Sequence, residues 1–492
     1  MIIPELKILA KDSIIYGIGN IINKFLIFLL LPLFTAYLKP EDYGILSILG
    51  LMNVFLSALF HLGTGSSLGI LFFDKEDNKI KAQIIWSDFI IILIMSAILL
   101  SVIYIFNNNL SSLIYDTPKY GSLVFLSMLN LAFTNLQVPF SGYARMTNKS
   151  KIYMVISVIT TISTSGLSIY FIVFLGKGIK GLLEVNAIVS LVMLILWIIV
   201  VFRYLKPGFS IESAKKLLVV GYPAIFGSFA FLFIEMSDRI FIKSYLGLSE
   251  LGIYSIGYSF GLGILILIDA FSLSWPTYFV KFGKKRDEAA ALFGYVLKYF
   301  IIIIGVVVLN FFLFAKPVVY LFTALEYHSA FIVVGIIASS YIFRGAYLIF
   351  LPGIYFEKKL HIQSIIEWTA ALINIGLNFI LTPKFGIVGA ALSTLLTFIS
   401  ISIITFIVSR KYMVVSHKWK SIIIFFAGFI PLCLLSYINL PLTIVMEIIF
   451  KIIVLVMFIA YTFYFVLTID ERNYCRTILS NLKSKYLLHE KK

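Results

Sequence analysis

Cysteine is nearly absent from this chain of 492 residues. Cys433 lies in an apolar run and Cys475 in the C-terminal tail, which excludes a disulfide framework and a thiolate metal site. Charge is scarce as well. Charged residues make up 13% of the chain and hydrophobic ones 61%, with a mean hydropathy of +1.02. A soluble domain carries about 25% charged residues, so the composition is that of an integral membrane protein. The apolar runs lack the alternating period of barrel strands, which makes them helices. No Walker loop, metal-ligand spacing or nucleophile elbow occurs, which argues against a pump carrying its own ATPase. No basic patch interleaved with aromatics sits on a soluble domain, so the net charge of +16 does not point to nucleic acid. The first apolar run is too long for a signal h-region and lacks a small-residue cleavage site. The stretch before it, residues 1–13, reads as an interfacial amphipathic helix.

Fourteen apolar runs are present, each long enough to cross a hydrocarbon core of about 30 Å. They lie near 14–37, 43–72, 84–106, 119–144, 152–175, 181–203 and 217–242. The rest lie near 251–280, 289–314, 329–351, 361–381, 386–409, 419–438 and 442–467. The second and eighth are long and contain glycine, which predicts tilted or bent helices. Lys and Arg are spread unevenly. The N-terminus, the loops after even-numbered spans and the C-terminal tail hold 28 of the 40, the other loops seven, and the spans five. That bias predicts cytoplasmic termini. The short connectors leave no room for a soluble catalytic domain.

The chain also repeats itself. Tyr37-Leu38, Gly44-Ile45, Ser47 and Ile48 recur 208 residues later as Tyr245-Leu246, Gly252-Ile253, Ser255 and Ile256. The same offset aligns Gly178-Ile179-Lys180-Gly181 with Gly386-Ile387-Val388-Gly389, and Lys151 with Lys359. The expected fold is an all-α polytopic membrane protein of about 14 transmembrane helices. Residues 1–206 and 207–414 form two six-helix lobes related by a pseudo-twofold along the membrane normal. Residues 415–470 add two spans, and 471–492 form a basic cytoplasmic tail.

A charge inside hydrocarbon is expensive and marks function by default. The five bases within spans are Lys24, Arg239, Lys298, Arg344 and Lys451. Arg239 and Arg344 lie near span ends, where snorkelling to headgroups is the alternative. Lys451 has Glu447 one turn before it, spaced as a structural pair. Lys298, about nine residues inside the ninth span, has no partner on its own helix. Lys24 lies ten residues into the first span, about 15 Å deep at 1.5 Å per residue, with no acid within four residues. It reads as cavity-lining, the alternative being a pair with Asp269 in the eighth span. Lys24, Arg239, Asp269 and Lys298 are therefore the candidate substrate-binding residues, and no catalytic set is evident.

A second group supplies oxygens. Asp238 stands beside Glu235 and Arg239, which are spaced for an ion pair. Asn374 and Asn378 lie one turn apart on the eleventh span, and Thr394 lies in the twelfth. Such oxygens suit a hard cation such as Na⁺, and Asp carries a proton equally well. Interhelical hydrogen bonding is the alternative. His61 reads as a satisfied packing residue. No cofactor is expected beyond a coupling Na⁺ or H⁺.

Gly221-Tyr222-Pro223, Asp238-Arg239 and Leu251-Gly252-Ile253-Tyr254-Ser255 resemble the seventh and eighth spans of bacterial polysaccharide-repeat flippases. Asn374-Ile375-Gly376-Leu377-Asn378, followed by Pro383-Lys384-Phe385-Gly386-Ile387-Val388-Gly389-Ala390-Ala391, resembles them too. The likeness covers roughly residues 5–410 in layout. These flippases export lipid-linked O-antigen or capsule units and belong to the multidrug/oligosaccharidyl-lipid/polysaccharide (MOP) exporter superfamily. The resemblance implies a central cavity lined by spans one, two, seven and eight, with alternating access to an undecaprenyl-pyrophosphate-linked oligosaccharide. In a lipid II flippase branch, a cation site is built from the seventh, eleventh and twelfth spans, which implies a coupling role for Asp238, Asn374, Asn378 and Thr394. That branch carries several arginines in its first two spans, where this chain has Lys24, so lipid II itself is not the expected substrate.

The resemblance further implies a bacterial inner membrane, with lipid-linked oligosaccharide and membrane lipids as partners. A polysaccharide polymerase and a chain-length regulator are implied as well, without nucleic acid and without an enzymatic step. The alternatives are a cation-coupled drug exporter of the same superfamily, a membrane glycosyltransferase or polymerase, and a non-transporting scaffold. The exporter would favour acids in its cavity. The enzyme would need a sizeable outer loop, whereas the longest here run to about a dozen residues.

Overall fold

A computed structural model describes residues 26, 28–283, 285–438, 444–474, 476 and 477. No strand occurs among them. Among the described residues ten helices are long and apolar enough to cross a membrane, and Phe28–Tyr37, Thr64–Phe73 and Trp419–Leu435 are shorter apolar helices. The protein is a multi-pass helical membrane protein. The outer face shows this directly. On Asn78–Tyr115, Ile94, Ile98, Val102 and Ile105 are 48–70% exposed and share one helical stripe. In water such a stripe is a liability; against lipid tails it is the natural surface.

The expected runs and the helices correspond closely. The second run is broken into Pro40–His61 and Thr64–Phe73 by Leu62 and Gly63, left-handed at φ 47° and 77°. The eighth, Leu248–Phe282, tightens into a 3₁₀ turn over Leu262–Ile264. The eleventh and twelfth join in Leu360–Arg410, which turns at Gly386 with φ 61° and ψ −142°. Gly178, its repeat mate, also has a positive φ of 53° and begins the sixth span. The interfacial helix expected over residues 1–13 lies outside the described residues.

The chain forms two compact units. One comprises residues 1–240, 248–252 and 322–324, the other 241–247, 253–321 and 325–492. A packing boundary therefore falls within Ile211–Leu246, some thirty residues beyond the repeat boundary at 206/207. Packing follows contacts and a repeat follows the sequence, so the two need not coincide. The first unit's core gathers Ile85, Trp86, Phe140, Val185, Trp197 and Leu217. The second buries Phe293, Leu297, Tyr341, Phe398, Phe425 and Phe458.

Within the first unit the repeat leaves a reciprocal contact. The backbone at Gly44 abuts Leu248, and that at Gly252 abuts Pro40 and Gly44. Pro40 and Leu248 are themselves repeat mates, so each half contributes the same glycine and the same neighbour, as a local twofold requires. In the first unit Lys149 lies over the Tyr204 ring, and in the second Lys359 lies over Tyr412. Both lysines precede a helix and follow a left-handed residue, Asn148 and Lys358. The structural mate of Lys359 is thus Lys149 and not Lys151. The offset is 210 already at Gly121 and Phe331, where the fourth and tenth spans begin, and it returns to 208 at Tyr204 and Tyr412.

Candidate functional site

The oxygen-bearing residues of the second unit form a ladder. Asn374 donates to the Thr397 hydroxyl at 3.1 Å, and Asn378 donates to the Asn374 side-chain oxygen at 3.1 Å. Thr382 donates to the Asn378 oxygen at 3.1 Å, and Thr397 donates to the Ser393 carbonyl at 2.7 Å. All these side chains are fully buried. Thr394, the threonine singled out by sequence, donates instead to the Ala390 carbonyl of its own helix at 3.4 Å. Three residues move a side chain most of a turn around a helix, which puts Thr397 where Thr394 was expected. The carboxamide oxygens of Asn374 and Asn378 each accept a hydrogen bond within the ladder, and oxygens of this kind are also what a hard cation uses.

Asp238 belongs to the first unit and is fully buried. Its carboxylate accepts from Arg239 Nη1 at 2.9 Å, and the same nitrogen donates to the Glu235 backbone carbonyl at 2.7 Å. Arg239 thus reaches the Glu235 backbone carbonyl one turn back and the carboxylate of the neighbouring Asp238. Arg239 does not snorkel outward: its side chain is 10% exposed.

Lys298 departs from its expected role. It is almost wholly buried, and its ammonium pairs with Glu471, just beyond the last span, at 2.8 Å. Tyr299 also donates to Glu471, at 2.6 Å. These bonds hold the Glu471 carboxyl down to about 2 against the desolvation that opposes them. Lys298 is a paired structural cation and not an open binding group. Lys451 likewise pairs with Glu447, as its spacing predicts. Asp269 is different: it is exposed in mid-span. A carboxylate at that depth needs water or a partner rather than lipid. Lys24 lies outside the described residues.

Two intramembrane acids escaped the sequence reading. Asp88 is fully buried, and neither carboxyl oxygen has a hydrogen-bond partner among the described residues. Glu367 is buried and accepts from Tyr347 at 2.6 Å and from Gln363 at 2.9 Å. The signal was plain: each is an acid inside an apolar run. Nearer the expected cavity face, Ser57 donates to Asn135 at 3.0 Å and Ser127 to Asn53 at 3.2 Å, tying the second span to the fourth. His61 keeps a packing role, its ring nitrogen accepting the Gly63 N–H at 3.1 Å.

The chain thus combines two helical units, bent spans and buried polar residues within apolar helices. Solved structures share this fold. The chain is similar to the lipid II flippase MurJ in an inward closed conformation, with a TM-score of 0.70 and 18% identity over 91% of this chain and 98% of that one. An inward-facing multidrug resistance MATE family transporter of the MOP superfamily aligns with a TM-score of 0.59 and 16% identity, covering 79% and 94%. A MATE protein in the straight conformation aligns at 0.56 and 18%, covering 82% and 95%. The family model described as polysaccharide biosynthesis protein matches residues 9–275, more than half of the chain, and the protein belongs to that family. No curated protein sequence matches it significantly.

Proposed function

We propose that this protein translocates oligosaccharide repeat units linked to undecaprenyl pyrophosphate across the bacterial inner membrane for O-antigen or capsule assembly. The observation that carries this reading is a conjunction. The chain belongs to a polysaccharide biosynthesis family, yet it has a flippase and exporter fold whose short connectors hold no enzymatic domain. Both termini lie in the cytoplasm, following the loop charges.

No covalent chemistry is needed. The charged headgroup enters a polar cavity from the cytoplasmic leaflet while the prenyl tail stays in lipid, and the lobes rock to open the other side. Lys24 lowers the cost of carrying the pyrophosphate through the midplane, and exposed Asp269 contacts the sugar. Asp238 responds to a coupling Na⁺ or H⁺. A polymerase and a chain-length regulator receive the product.

Deletion followed by extraction of lipid-linked oligosaccharides tests this. Complete repeat units should accumulate on the inner leaflet. Truncated units would indicate a glycosyltransferase. The MATE likeness favours a cation-coupled drug exporter as second reading, for which deletion would raise drug sensitivity and leave the lipid-linked pool unchanged.

A further inference from the structure

The two repeats differ at one place in a way that opens a cavity. In the first unit Trp86 is a core plug. Its ring packs against Phe140 at 5.3 Å and Phe202 at 6.2 Å, and its indole N–H points to the Leu205 carbonyl at 3.4 Å. The repeat mates of Trp86, Phe202 and Leu205 are Gly294, Arg410 and Met413. Phe350 corresponds to Phe140 at the longer offset that pairs Lys149 with Lys359. A large aromatic has thus become a glycine, and its aromatic neighbour an arginine.

The space left by the plug is only partly refilled. At Gly294 the backbone of Ser416 comes in close, and the Ser416 N–H donates to the Ala290 carbonyl at 3.3 Å. The loop after the twelfth span is thereby pinned over a cavity of about 450 Å³, within the usual size of small-molecule sites, about 300–1,000 Å³. Phe350, Phe406, Met413, His417 and Trp419 wall it, and Arg410 is its charged lining residue. His417 contacts the rings of Phe350, Phe406 and Trp419. Burial pushes His417 down to about 4, so at neutral pH it adds no charge, and among the described residues Arg410 has no carboxylate within salt-bridge distance.

The surroundings select the ligand. From Glu367 to Glu447 the sequence contains no acid, while Arg410, Lys411, Lys418 and Lys420 cluster beside the cavity. Trp419 is 42% exposed and Ile423, one turn on, 65%. The mouth therefore joins a basic loop to a lipid-facing helix, the setting in which anionic headgroups bind.

We infer that this cavity is a binding site for the phosphate headgroup of an anionic phospholipid, with Arg410 as its anion-binding residue and the aromatic wall seating the glycerol and upper acyl chain. The inference is independent of the transport reading and needs no substrate to test. The purified full chain is delipidated, reconstituted with phosphatidylcholine containing phosphatidylglycerol, and examined by native mass spectrometry for retained lipid. Wild type should retain phosphatidylglycerol in preference to phosphatidylcholine. Arg410→Gln should reduce that retention about tenfold, and Arg410→Phe, which installs the other repeat's residue, at least as much. Lys411→Gln, outside the cavity wall, should change it little. Equal loss in the Lys411 and Arg410 variants would mean a diffuse basic surface, and full retention in Arg410→Phe would mean no site. Displacement of the lipid by millimolar inorganic phosphate would mean a free-anion site. Each of these results overturns the inference.

Discussion

A methyl group at Gly44 or Gly252 is expected to break the crossing between Pro40–His61 and Leu248–Gly261. A Cβ at Gly252 would lie 2.7 Å from the Pro40 carbonyl carbon and 3.0 Å from the Gly44 nitrogen, and one at Gly44 would lie 2.7 Å from the Leu248 carbonyl carbon. Carbon atoms rest about 3.5–4.0 Å apart, so each methyl must displace the opposing backbone by roughly 1 Å. Main chain cannot rotate aside as a side chain does. Overpacking of this kind costs about 1–3 kcal/mol, of which alanine's helix preference returns only about 0.5–1 kcal/mol. The double variant should cost less than the sum, because helices already parted accommodate both methyls. Gly50 lies in the same helix, and a Cβ there meets nothing within 4 Å. Thermal stability of the detergent-solubilised protein, followed by size-exclusion chromatography, should rank Gly50→Ala at or above wild type, with Gly44→Ala and Gly252→Ala well below. If all three behaved alike, the reciprocal crossing would be refuted.

Other outcomes follow from the charged residues. Glu471→Gln or Lys298→Met should destabilise by about 3–5 kcal/mol, the cost of leaving one partner of a buried pair. The double change Lys298→Met with Glu471→Leu should recover most of it, whereas lost export at unchanged thermal stability would return Lys298 to substrate binding. Asp238→Asn should weaken the Na⁺ or proton dependence of export at normal protein abundance; an unchanged ion dependence would leave the Asp238–Arg239 pair a purely structural role. Lys24→Ala should abolish surface polysaccharide without lowering abundance, and Lys24→Arg should retain part of it because the charge survives. Normal export by Lys24→Ala would remove the lysine from the mechanism.

The spans were legible because membrane helices announce themselves by composition alone. Even the joint at Gly386 was marked, by Pro383 and by its repeat mate Gly178. What sequence could not supply was register between helices. Thr394 and Thr397 are equally polar and three residues apart, and only the packing of the eleventh span against the twelfth decides which one meets Asn374. Nor could local spacing find the partner of Lys298, since Glu471 lies 173 residues away. A fixed offset pairs Lys151 with Lys359 because it cannot reveal the two residues added ahead of the fourth span's repeat mate. Asp88 and Glu367 were in plain view as acids within apolar runs, and their burial needed the fold. The cavity beside Arg410 was hidden differently: it is visible only when Trp86 and Gly294 are compared as structural mates.

Translocation by the purified protein tests the central claim most directly. The chain would be reconstituted into liposomes with a fluorescent undecaprenyl-pyrophosphate-linked oligosaccharide confined to one leaflet, and a membrane-impermeant glycosidase added outside would report the exposed fraction. The account predicts that exposure rises with time in liposomes containing the protein, that it stays flat in empty ones, and that Lys24→Ala abolishes the rise. Equal exposure with and without the protein, while the same preparation moved a cationic drug, would contradict it.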